Sequence, residues 1–316
     1  MILIVGASGR LGSVVVQHLR EQGKSIRVMT RNPLGLAHLK QQGVEIVSGD
    51  LRDPASLASA CQGVEQVLAA AHALDGKGDN NPQTVDDMGN RHLIDAAKAA
   101  GVKHFIFVSV LGASPDSPLE FFRIKHRTEE YLRASGLNFT ILRPSAYMEL
   151  WTQLIGQPIR EQGKTTIFGR GNNPINFVSV EDVARFVSIG LDDAHARNTV
   201  IEVGGPENLT MNQVAEIFER TSERQAKKGH IPLLMMRVMS ILMQPINPTM
   251  SRLIRNGIYM DTVNLRYDMA DTARAFGIQQ TTMEEVARRA VTSAGAALSD
   301  ERARAGASRE RSHANE

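Results

Sequence analysis

Gly6, Gly9 and Gly12 stand three residues apart, directly after the apolar run Ile2-Leu3-Ile4-Val5, and the chain continues from them as an amphipathic helix. Glycines at this spacing let a backbone do one thing well, which is to close around a pyrophosphate. The first permits a tight exit from a strand, the second leaves an approach path free of any Cβ, and the third lets helix and sheet pack closely. The phosphates would then meet the free N–H groups and the positive end of the helix, so Ser8, Arg10 and Leu11 within the loop count as contacts alongside the glycines. The second apolar run ends in Val28-Met29-Thr30-Arg31, with no acid where the ribose 2′-hydroxyl of NAD would be recognised. Arg31, with Arg10 reaching the same edge, can instead pair with a 2′-phosphate. NADP(H) is therefore the expected ligand and NAD(H) the alternative; the plainer account of both arginines is a solvated surface turn. Asp50 and Leu51, after the third run, would border the adenine or simply lead into a helix capped by Asp53.

The rest of the composition removes other chemistries. With 36 basic against 34 acidic residues the formal charge is +2, too balanced for a nucleic-acid surface. A lone Cys61 makes neither a disulfide framework nor a cysteine metal cluster, and none of the nine histidines has the spacing of metal ligands. No nucleophile elbow or phosphate-transfer lysine loop occurs. The start of the chain is strand and turn rather than a leader, so a cytoplasmic location is expected. The apolar stretch Ile231–Ile246 is broken by Arg237, Ser240 and Gln244, too short and too polar to span a bilayer. Its methionines would fill core, wall an adaptable pocket or rest on a membrane surface.

The elements that must position the glycine loop are legible as alternation. Runs rich in β-branched residues at 2–5, 26–29, 44–47, 67–71, 105–109, 139–142 and 200–203 are separated by helical patterns near 11–22, 54–62, 84–100, 119–135 and 180–192. Strands separated by such helices predict right-handed crossovers and an α/β fold, a doubly wound parallel sheet with helices on both faces. The polar, glycine-punctuated stretch 75–82 is predicted as an exposed loop after the fourth strand, beside the ligand crevice. After about residue 145 the alternation lapses. Residues 1–205 are accordingly expected to form the nucleotide-binding domain, with a small-lobe insertion near 146–175. Residues 206–298 would form a smaller lobe with a last helix near 282–294, and 299–316 a disordered tail.

GASGRLG at 6–12, the Arg31 turn, Ser48-Gly49-Asp50-Leu51, the segment from Asp87 to Ala97, Lys103 to Leu111 and Leu142-Arg143-Pro144 together resemble the NmrA-like branch of the atypical short-chain dehydrogenase/reductases, over roughly residues 1–205. The resemblance implies a Rossmann fold that binds NAD(P). It leaves activity open, because the branch contains quinone and dye reductases, NADPH-sensing regulators without turnover, and photosystem assembly factors. It also exposes a departure. The wider superfamily places a tyrosine four residues before a lysine, so that the lysine holds the nicotinamide ribose and lowers the tyrosine pKa. Lys125 fits the lysine position, but Phe121 fills that of the tyrosine, and a phenyl ring transfers no proton.

By the same resemblance Ser109 would polarise a carbonyl or line the crevice, and Tyr147 would offer a hydroxyl near the nicotinamide or pack in the core. Two functions remain. One is NADPH-dependent reduction of a small apolar, quinone-like acceptor, for which the missing tyrosine matters least. The other is a non-catalytic NADP(H)-binding sensor or assembly factor that presents its C-terminal lobe to a protein partner. A sugar-nucleotide epimerase is disfavoured by the same missing tyrosine.

Overall fold

Short β-branched runs stack as parallel strands when helices cover both faces, and the chain builds that sandwich in order. The computed structural model describes residues 1–293, so the expected tail at 299–316 lies outside the described residues. Strands β1 (Ile2–Val5), β2 (Ile26–Thr30), β3 (Glu45–Ser48), β4 (Gln66–Ala69), β5 (His104–Val108) and β6 (Phe139–Pro144) are followed by β7 (Ala146–Tyr147), β8 (Lys164–Phe168), β9 (Ile175–Val178), β10 (Thr199–Val203), β11 (Asn208–Leu209) and β12 (Lys227–Ile231). Seven of them form one sheet in the order β10-β6-β5-β4-β1-β2-β3, every pairing parallel. These are the seven predicted strands, displaced by no more than two residues at either end.

On one face, Val15 and Leu19 of the helix Arg10–Glu21 share a core cluster with Val183 and Val187 of the helix Val180–Asp192. On the other face, Leu57, Leu93 and Leu132 bring the helices Pro54–Cys61, Asn90–Ala99 and Glu120–Ala134 onto the sheet. The chain winds outward from β1 through β2 to β3, then crosses to β4 and winds the other way. The crevice between the carboxyl ends of β1 and β4 is therefore the switch point, where such sheets hold ligands.

The remaining strands make a three-stranded sheet, β11-β9-β7, and a pair, β12-β8. A third cluster, with Met148, Trp151, Phe177, Met211, Phe218 and Met283, joins the 146–178 segment to the later part of the chain. The division is interleaved, since Met269 and Ala273 return to the first cluster beside the helix Val180–Asp192. The last helix is present over 283–293. The Met-rich segment departs most from expectation. It forms a helix, Leu233–Ile246, of which only Met236 and Ser240 are buried, so it is mostly neither core nor pocket wall. The cause lies in the turn that follows. Asn247 caps a second helix, Pro248–Thr262, its side chain accepting from Met250 N–H at 3.0 Å, and the resulting hairpin gives the first helix one narrow stripe of contact.

Candidate dinucleotide site

The three glycines differ in what surrounds them. Gly6 has φ +101°, and a Cβ there would lie 2.6 Å from the Ala71 nitrogen at the end of β4. A Cβ on Gly12 would lie 2.2 Å from the Gly6 carbonyl oxygen. Both glycines are needed for the loop to close on itself. Gly9 is different, because a Cβ there would meet only the Gly6 oxygen, at 3.2 Å, and otherwise point into open space. The helix that follows starts at Gly9 with no side-chain cap and no acid in its first turn, leaving donors and the positive helix end aimed at that space. A pyrophosphate fits this cradle in shape and charge.

Arg31 is exposed at the end of β2 and donates from Nη1 to Asn80 Oδ1 at 3.1 Å, which ties it to the 75–82 loop. Asp50 does not stand free: Arg52 bonds its carboxylate at 2.6 Å, and that bond holds the Asp50 carboxyl below the usual carboxylate range. Leu51 is buried, close enough to Gly89 that a Cβ there would sit 2.8 Å from it. Arg10 and Ser8 are exposed in the loop and Leu11 is buried behind it. Arg10 reaches the side-chain oxygen of Gln153, tying the glycine loop to the 146–178 segment.

Deeper in, Lys125 is only 2% exposed. Its Nζ lies 2.9 Å from Asp86 Oδ1, a charge contact rather than an aligned hydrogen bond, and donates to the Val108 carbonyl at 3.2 Å. The ammonium also sits over the rings of Phe107 and Phe121, at 4.9 and 5.4 Å. Asp86 is held in turn by the Ala73 N–H at 2.9 Å. It belongs to a widened π-helical turn, Gln83–Gly89, whose loosened carbonyls are taken up by Asn90 and Thr128, with Asn90 Nδ2 bonding Val85 and Asp86 O and Thr128 Oγ1 bonding Asp86 O. The same turn aims Asp87 at Arg91 and Arg127. Turns of this kind recur at functional sites.

Phe121 packs edge-on to His72, with centroids 6.3 Å apart. His72, three residues beyond the end of β4, keeps accessible surface while protein surrounds it, and this desolvation lowers its pKa. Sequence reasoning passed over His72 and Asp86. The position of His72 just beyond a strand's carboxyl end was the available signal for the first, whereas the inward aim of Asp86 depends on the widened turn.

Ser109 is bonded within the protein. Its Oγ donates to Glu129 Oε1 at 2.5 Å, and Glu129, wholly buried, is bonded by Arg143 at 2.6 and 2.9 Å. A buried carboxylate facing an arginine draws a nearby hydroxyl into its shell, which is the physical reason the Ser109 hydroxyl turns to Glu129. Lys125, expected at the ribose, is likewise paired with the buried Asp86 carboxylate. Tyr147 is half-buried against the first core cluster. Burial, with the Glu149 carboxylate adding to it, pushes its phenol pKa well up, so the hydroxyl keeps its proton.

Comparison with known proteins decides the family. A profile of the NmrA-like family matches residues 1–286. The chain belongs to the NmrA-like family. It is 30% identical to the photosystem II assembly factor Ycf39 of Synechocystis over 90% of this chain and 88% of that one. It is also 30% identical to an NAD(P)H azoreductase of Xenophilus azovorans, over 74% of this chain and 78% of that one. Among solved structures it resembles a quinone oxidoreductase of Escherichia coli in complex with NADPH, at 26% identity and a TM-score of 0.74, covering 92% of this chain and 99% of that one. Within this NmrA-like protein, the open cradle at Gly9 and the uncapped helix fit a dinucleotide pyrophosphate in shape and charge.

Proposed function

We propose that this NmrA-like protein binds NADPH at the switch-point crevice and reduces a planar, apolar acceptor of the quinone or azo type. The observation that carries this reading is a cradle open to a pyrophosphate beside a reductase position occupied by Phe121. Gly6, Gly9 and Gly12 and the helix end would hold the phosphates, and Arg31 would release Asn80 to pair with a 2′-phosphate. The cofactor, when bound, supplies the hydride. Phe121 and His72 would form the apolar floor against which an acceptor lies flat. Such an acceptor takes its proton from water after hydride arrival, so the protein needs no acid at position 121; Tyr147 is the side chain that retains a proton nearby. The azoreductase and the NADPH-bound quinone oxidoreductase support this assignment of substrate class.

The second reading is a scaffold that binds NADP(H) without turnover. It is favoured by the internal engagement of Lys125 and Ser109, which leaves the crevice poor in catalytic groups, and by the likeness to an assembly factor. NADPH oxidation by the purified chain, followed with a benzoquinone and with an azo dye, separates the two. Acceptor-dependent oxidation that changes by less than about twofold in Phe121→Tyr supports the reductase. Tight NADPH binding by calorimetry with no oxidation by either acceptor replaces it with the scaffold.

A further inference from the structure

The helix Leu233–Ile246 carries its apolar residues on the wrong side for a soluble protein. At 3.6 residues per turn, Leu234, Met235, Val238, Ile241, Leu242 and Ile246 fall within an arc of roughly 140°. All six are exposed, from 48% for Val238 to 75% for Ile246. The buried Met236 and Ser240 lie on the opposite side, facing the second helix of the hairpin. An ordinary surface helix shows solvent its polar face, and a contiguous exposed apolar face of this kind marks a docking surface.

Charge says what docks. From Arg224 to Met260 the chain contains no aspartate or glutamate, while Arg237, Arg252 and Arg255 lie on the hairpin and Lys227 on the strand before it, where Lys228 is paired with Glu219 at 2.8 Å. Among the described residues none of the three hairpin arginines has an acidic partner: Arg252 donates to the Leu74 and Gly76 carbonyls and Arg255 to Gln244. A second copy of the chain would bring these like charges together. The apolar arc itself holds only aliphatic and thioether side chains, without the aromatic anchors on which protein interfaces rely. An apolar face bordered by uncompensated cations suits the boundary between headgroups and acyl chains of an anionic bilayer. The helix has 14 residues, a length of about 21 Å at 1.5 Å per residue, too short to cross the hydrocarbon core. No helix among the described residues is long and apolar enough to cross a membrane.

We propose that the hairpin 233–262 is a monotopic docking element that lays the Leu234–Ile246 face into an anionic lipid surface. The inference does not depend on turnover in the crevice. Its test is co-sedimentation of the full chain with vesicles of phosphatidylcholine containing roughly 30% phosphatidylglycerol, compared with phosphatidylcholine alone. The double variant Val238→Glu, Leu242→Glu changes only exposed positions, and its NADPH affinity, measured separately, reports that the fold is intact. Binding to the anionic vesicles that weakens with salt and falls about tenfold or more in the double variant is the expected result. A native chain that stays in the supernatant with both vesicles overturns the proposal. So does a double variant that binds as the native chain does, or a native dimer in sedimentation velocity that the double variant converts to monomer while neither binds lipid.

Discussion

A methyl group added at Gly9 and one added at Gly12 meet different surroundings, and the contrast separates binding from folding. At Gly12 the new carbon would lie 2.2 Å from a backbone oxygen, so Gly12→Ala should cost about 1–3 kcal/mol, read as a lowered urea midpoint. At Gly9 the one close contact is the Gly6 oxygen, at 3.2 Å, and the rest of the side chain points into the open space the ligand would take. Gly9→Val should leave circular dichroism unchanged and abolish NADPH binding in calorimetry; retained affinity would remove the loop from the site. Arg31→Ala should erase most of the preference for NADPH over NADH, a charge-assisted contact of roughly 1.5–3 kcal/mol, and equal affinities in the native chain would contradict its role. The close packing of the loop at Gly6 and Gly12 was legible in the sequence because glycine spacing carries it directly. The buried partners of Ser109 and Lys125, Glu129 and Asp86, were not, because each is supplied from elsewhere in the fold.

Elements built on repetition announce themselves, and elements built on exceptions do not. The seven strands followed from β-branched runs, and the helices that cover them from their apolar stripes. The wide turn Gln83–Gly89 reads in sequence only as the start of a helix, yet its extra residue per turn brings Asp86 under the helix Glu120–Ala134. Asp86→Ala should therefore act across elements: it strands the Lys125 ammonium in the interior and frees the Ala73 N–H, at a cost of about 3–5 kcal/mol measured by urea denaturation. A loss below 1 kcal/mol would mean that the lysine is solvated after all. The core and pocket-wall readings of the Met-rich helix fail for a related reason. Hydrophobicity predicts burial only when the chain supplies something to be buried against, and the turn at Asn247 supplies a single neighbouring helix.

For the molecule as a whole, pH offers a test that does not involve the crevice. His104 lies in β5 with its Nε2 3.0 Å from Thr140 Oγ1, and Thr140 donates onward to the Ala196 carbonyl, so the histidine bears its proton on Nε2. Its Nδ1 is buried without a partner, and burial lowers the pKa in the folded state. The unfolded chain, with an ordinary histidine pKa of about 6.5, binds the proton more readily, so stability is complete above that pH and declines as pH falls below it. His104→Gln, which keeps a donor for Thr140, should flatten that decline between pH 7 and pH 5 in urea titrations; an unchanged slope would place the titrating group elsewhere.

The loop 75–82 is gripped at both ends. Asn80 is held by Arg31, and Gly76 O by Thr249 at 2.6 Å and Arg252 at 2.8 Å from the hairpin. A nucleotide phosphate that claimed Arg31 would remove one grip, and a surface that seated the hairpin would bear on the other. The two binding events then form one thermodynamic cycle. Whatever factor NADPH applies to the affinity for lipid, lipid must apply to the affinity for NADPH. The short loop would thus make occupancy of the crevice report on where the protein sits, and its seat report on whether the crevice is filled.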